Sequence, residues 1–172
     1  MIKKTTILLS LICSILFLSG CNNDDESTSE PETETFLCCG TNPFESSNID
    51  NLDQSTLGII EPIEIFTPNQ DGFNDTFRIN NLGNYPNSLV TIFDLDDNVV
   101  SEYPGTQSGF DGINQNDNSL LPFGSYRYKI VVENENTFLM NGYVCFIREG
   151  SQADGMSFND CLEDGSFDPI II

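Results

Sequence analysis

The sequence predicts an all-β sandwich, on three observations. Apolar and polar residues alternate with period two in several short runs between positions 60 and 148, as in strands that bury one face. Clusters of Pro, Gly, Asn and Asp separate these runs and supply the chemistry of tight turns. No longer stretch shows helical periodicity with capping residues. The chain also has 13 Phe and 5 Tyr but no Trp, a composition that suits a β-rich core.

Taken in order, Ile60 to Phe66 is expected as an edge strand, because Pro62 cannot donate to a ladder. A nine-residue turn, Thr67 to Asp75, follows. Pro68 fixes φ and ends the preceding strand, and Gly72 supplies a positive φ where the chain reverses. Thr76 to Ile79 places Phe77 and Ile79 on one face. Ser88 to Phe93 and Val99 to Tyr103 form a hairpin around the polar turn Asp94 to Asn98. Ser125 to Val132 is the longest run, with Tyr126, Tyr128 and Ile130 on one face and Arg127 and Lys129 opposite. After a turn at Glu133 to Asn136, Thr137 to Met140 and Gly142 to Arg148 complete about seven strands. Tyr85, Tyr126 and Tyr128 are expected in or near the core. Asp94 to Asp97 and Asn114 to Asn118 are expected as solvated hairpin tips.

The N-terminus has the form of a targeting segment. Met1 to Lys4 is short and basic, and Thr5 to Leu18 is almost wholly apolar. That run is too short to span a bilayer and suits a secretory h-region. It ends in Leu18-Ser19-Gly20-Cys21, with small residues before the Cys, as in a bacterial lipobox. Residues 1–20 are therefore expected as a lipoprotein signal peptide. The thiol of Cys21 would carry diacylglycerol and its freed amine a further acyl chain, together a stable anchor. Residues 21–57 are expected as an acidic, disordered tether, since the Ser/Thr/Glu/Pro run to Thr35 has nothing to bury. Its first acids resemble the surface-export signal of Bacteroidota lipoproteins.

The chain carries 27 acidic and 6 basic residues, a net charge of −21. Loss of Lys3 and Lys4 with the leader leaves four bases. Such a chain repels nucleic acid and anionic lipid, both of which need Lys and Arg to neutralise phosphate. It contains no His, the commonest general base and metal ligand. There is no G-x-S-x-G nucleophile elbow, so no enzymatic activity is expected. Of the cysteines, Cys13 falls in the leader and Cys21 in the lipobox. Cys38, Cys39, Cys145 and Cys161 remain as disulfide candidates for an oxidising compartment. A bond between adjacent Cys38 and Cys39 would close a strained ring, which leaves pairings of these two with Cys145 and Cys161. Residues 150–172 are then expected as a tail that a disulfide can tie to the domain at 58–149.

The turn at 67–75 also matches the first half of an EF-hand-type loop. Asn69 and Asp71 stand at its third and fifth positions, the Phe73 carbonyl at the seventh and Asp75 at the ninth. Gly72 occupies the tight turn, but Arg78 stands at the twelfth position, where a bidentate Glu belongs. Calcium, in the weak extracellular class of about 10⁻⁴–10⁻³ M, is one expectation for Asn69, Asp71, Phe73 and Asp75. An Asx-rich turn that bonds its own amides is the other.

Ile65-Phe66-Thr67-Pro68-Asn69-Gln70-Asp71-Gly72-Phe73-Asn74-Asp75-Thr76-Phe77 resembles the opening of the gliding-motility-associated C-terminal domain family, a type B sorting domain of type IX secretion. Its members carry a T-P-N-G-D-G-x-N-D pattern. Further matches follow in the family's order: Tyr85-Pro86-Asn87-Ser88, Val90-Thr91-Ile92-Phe93, Asp111-Gly112, Leu121 to Tyr128, and Asn141-Gly142-Tyr143-Val144. The resemblance covers about Glu61 to Glu149. Gln70 replaces a family glycine, Leu95-Asp96-Asp97 an R-W-G, and Phe110-Asp111-Gly112 a W-D-G. Family domains normally close their chains, whereas Gly150 to Ile172 follows here.

The resemblance implies an Ig-like antiparallel β-sandwich and a role in directing cargo to the cell surface. The leading expectation is a non-enzymatic, lipid-anchored protein exposed on the outer membrane, acting by contact with an envelope or extracellular partner. The alternatives are a sorting signal read by the type IX export machinery and a weak calcium-binding adhesion module.

Overall fold

The computed structural model describes residues 36–38 and 40–148. The leader, Cys21, the acidic run to Thr35, Cys39, Glu149 and the tail at 150–172 with Cys161 lie outside the described residues. Eight strands are present among those described: β1 (Ile49–Asp50), β2 (Glu61–Pro62), β3 (Ile65–Phe66), β4 (Ile79–Asn80), β5 (Ser88–Phe93), β6 (Val99–Pro104), β7 (Gly124–Val132) and β8 (Phe138–Phe146). Six form one sheet in the order β1-β8-β7-β5-β6, with β3 also paired to β8. β2 and β4 form a second sheet of two. The two sheets pack in an arrangement consistent with an Ig-like β-sandwich.

The core lies on the inner face of the large sheet. Val90 and Ile92 of β5, Tyr128 and Ile130 of β7, and Val144 and Phe146 of β8 are almost wholly buried. They meet Phe66 of β3, which neighbours Phe146 in the same sheet, and Phe77 and Phe110 from the covering layer. Phe66 stacks on Phe146 with ring centroids 5.1 Å apart, and Phe77 packs against Tyr128 at 5.3 Å. Each buried aromatic removes a large apolar area from water, and tilted ring pairs add about 0.5–1.5 kcal/mol beyond that. The alternation in β7 is as expected from sequence: Tyr126, Tyr128 and Ile130 are buried, while Arg127 and Lys129 are half-buried on the opposite face.

Five sequence expectations are corrected. The run 60–66 is two strands. Pro62 gives β2 no donor to continue its ladder, and the chain then crosses between sheets. The Ile63 amide still reaches the Arg78 carbonyl at 2.9 Å, and the Glu64 carbonyl accepts from Cys145 N at 2.8 Å. β3 then runs parallel to β8, so the sandwich is not wholly antiparallel. The expected strand at 76–79 survives only at its end; Phe77 instead forms an isolated bridge with Phe110. Residues 137–140 and 142–148 are not two strands, because β8 runs straight through Gly142. Gly142 pairs with Tyr128, and a Cβ there would lie 2.4 Å from the Tyr128 hydroxyl oxygen. This glycine makes room for a ring and does not mark a break.

The fifth correction concerns the tether. From Cys38 onward, part of the segment assigned to it is structured against β8. Cys38 and Cys145 form a disulfide with Cα atoms 5.6 Å apart. Asn42 Nδ2 donates to the Asn141 carbonyl at 2.8 Å, and Asn141 N donates to Asn48 Oδ1 at 2.9 Å. The Asn48 side chain thus replaces a strand backbone for one residue before β1 takes up the pairing at Ile49 and Leu139. Phe44 lies against Tyr143 with centroids 5.5 Å apart.

Candidate functional site

The turn between β3 and β4 is organised around Asp75. Its Oδ1 accepts from Gln70 N at 2.7 Å and its Oδ2 from Gly72 N at 2.9 Å. Asp71 repeats the device one level up: Oδ1 accepts from Phe73 N at 2.8 Å and Oδ2 from Asn69 Nδ2 at 2.8 Å. Asn69 Oδ1 accepts from Asp71 N at 3.0 Å. The neck is closed by Thr67 N donating to the Asn74 carbonyl at 2.7 Å. Three residues take positive φ, Gln70 at 66°, Gly72 at 91° and Asn74 at 45°, which turns successive amides inward. Anionic acceptors facing several amides form strong, charge-assisted bonds.

The structure therefore brings Asn69, Asp71 and Asp75 together, around backbone hydrogens. The Phe73 carbonyl accepts from the Thr67 hydroxyl at 3.4 Å. The Arg78 guanidinium sits at the same loop, donating to Asn74 Oδ1 at 3.0 Å. This donor set fits a calcium shell poorly. An ion would have to displace amides from both oxygens of Asp75 and settle beside a guanidinium. No group of three or more metal-binding side chains occurs among the described residues.

Asp75→Ala leaves the Gln70 and Gly72 amides without their carboxylate, a loss comparable to a helix N-cap. It should lower stability by about 1–2 kcal/mol in a urea melt. Gln70→Gly should act in the opposite sense. A non-glycine residue in the left-handed region costs about 1–2 kcal/mol. The greater freedom of Gly in the unfolded chain cancels part of that, leaving a gain of about 0.5 kcal/mol on the same melt.

Several positions carry more than their sequence signal suggests. Cys145 is fully buried and its sulfur lies 3.9 Å from the Ser125 hydroxyl. Glu64, at the crossing between sheets, accepts from the Tyr128 hydroxyl at 3.0 Å. Burial pushes the Glu64 carboxyl above the usual carboxylate range, while the Tyr128 bond pulls it down. Burial, with the Glu64 charge second, raises the Tyr128 hydroxyl. On the outer face of the large sheet the Arg127 guanidinium lies 3.9 Å from the centre of the Phe93 ring and pairs with Asp97 at 2.7 Å. The same hairpin tip is internally fastened, Asp94 Oδ1 accepting from Asn98 N at 2.8 Å. Alternation shows which face Arg127 occupies; the ring and carboxylate it meets depend on register.

Against protein families, the model of the CHU_C Type IX secretion signal domain matches residues 60–146. No curated protein matches the chain, and no solved structure does.

Proposed function

We propose, for a chain that belongs to the CHU_C Type IX secretion signal domain family, that the β-sandwich is the part read by the type IX export machinery. The family match, which runs from the start of β2 to the end of β8, carries this reading. The domain is a non-enzymatic, all-β module of sorting type. Cys21 would add a lipid anchor, so that the exported chain stays on the outer membrane with its domain facing outward. The composition of the acidic run after Cys21, which offers nothing to bury, supports its role as a spacer.

The test follows the full chain and a Cys21→Ala variant in cells with and without the type IX apparatus, by surface labelling of intact cells. The expected result is a surface-labelled fraction that collapses without the apparatus. Cys21→Ala should move the protein from the cell surface to the medium. A surface fraction indifferent to the apparatus would overturn the sorting reading. Retention of Cys21→Ala at the surface would overturn the anchor.

A further inference from the structure

The outer face of the large sheet carries a feature that alternation alone does not reveal. Strand register aligns Ile49 with Leu139, Leu139 with Val131, Val131 with Leu89 and Leu89 with Pro104. Five apolar residues from five strands therefore form one continuous row across the solvent side of the sheet. Leu89 is 41 % exposed and Pro104 is also exposed, while Ile49, Leu139 and Val131 are half-buried. Beyond it, Val99, 44 % exposed, aligns with Phe93, whose other neighbour is Arg127. A row of this kind on a face turned to water is the pattern of a docking surface.

Charge singles out the same face. The chain beyond Lys4 has four basic residues, and two of them, Arg127 and Lys129, stand here. Both are neutralised locally, Arg127 by Asp97 and Lys129 by Glu135. With Glu102, which stands opposite Thr91 on the same face, the face carries a single surplus negative charge in an otherwise strongly acidic chain. Beyond the two carboxylates used in those pairs, its two ends stay acidic: the β5–β6 tip keeps Asp94 and Asp96, and the β7–β8 turn keeps Glu133.

We propose that this face is the surface by which the export machinery holds the domain, which rests on the sorting function proposed above. The complementary partner is a protein surface with an apolar strip flanked by Lys or Arg on both sides. Such a partner gains burial at the row and attraction at both ends. Four strands at about 4.8 Å spacing and six residues at about 3.3 Å rise, with the two residues of β1 beside them, make a face of roughly 410 Å². That is well below the ~800 Å² per partner of a stable interface and within the range of transient contacts. It suits a carrier that must release its cargo, and it is too small for a lasting dimer of two acidic copies.

The test uses the full chain carrying Leu89→Thr and Val131→Thr, substitutions that keep β propensity and interrupt the apolar row at its centre. With an unchanged melting temperature, the surface-labelled fraction should fall at least ten-fold. A photo-crosslinking residue at position 89 should trap a type IX component, and one at position 73 should not. Wild-type export by a folded variant, or crosslinks at 73 and none at 89, would overturn the docking face. If the variant melts early, the crosslinking arm decides alone. If wild-type export itself does not need the apparatus, the sorting function falls and this surface with it. If only the variants behave as wild type, the surface alone falls.

Discussion

Cys38→Ser should cost the folded domain about 3–5 kcal/mol, because a bond closing a loop of this order restricts the unfolded chain by nearly 5 kcal/mol. The cysteines are 107 positions apart, so the bond encloses almost the whole sandwich. For a domain of this size the melting temperature should drop by roughly 10–20 °C. Wild-type protein melted in reductant should converge on the variant. The segment ahead of β1 should also loosen. Its remaining hold on β8 is the Asn42 and Asn48 contact with Asn141, the short β1 pairing and the Phe44 ring. Hydrogen exchange at the Asn141 amide should therefore speed up more than at Ile130, in the centre of the sheet. A variant melting within a few degrees of wild type would show that packing alone holds this segment.

Gly109→Ala is expected to be at least as damaging as most core truncations, at about 3 kcal/mol or more, since overpacking against rigid atoms cannot relax cheaply. A Cβ at Gly109 would stand 2.0 Å from the Phe77 carbonyl oxygen. The obstacle is backbone, held in place by the Phe77 amide donating to Phe110 at 2.7 Å. Moving it would shift Phe77, which is fully buried and packed on Tyr128. Gly72→Ala is the control. Gly72 has a φ of 91°, but a Cβ there would meet no atom within 4 Å, so the substitution loses only the backbone preference of about 1 kcal/mol. Chemical denaturation of both variants separates the effects. Equal losses would mean that the bridge between Phe77 and Phe110 is soft.

Glycines illustrate what the sequence could convey. The long strands were legible, because in β5, β6 and β7 alternation directly reports which face meets the core. Gly109 and Gly142 were not. A glycine that yields space to a distant carbonyl or ring looks, in one dimension, like a turn or a break. The attachment of residues 42–57 was also hidden, since it rests on asparagine side chains and a two-residue strand with no periodic signal. Cysteine identity narrowed the pairings, but choosing Cys145 for Cys38 required knowing which strand end lies beside the incoming chain. The turn at 67–75 was legible in kind: its Asx residues do bond nearby amides. That both oxygens of Asp75 serve as acceptors depends on positive φ angles at alternate positions, Gln70, Gly72 and Asn74. The outer apolar row is a product of register, which includes a shift between Ile92 and Phe93. Reading it from the chain would have required every hairpin to be aligned first.

The link between Cys38 and Cys145 also sets how the domain answers tension. A pull between the chain before Cys38 and the chain after Cys145 runs through one covalent bridge and leaves the intervening strands unloaded. The sandwich is then a passenger beside the line of force. Tension would stretch the flanking segments and load only the end of β8, where Phe146 pairs with Gly124 and Phe66, and the ladders between the two cysteines would stay closed for as long as that bridge stays oxidised.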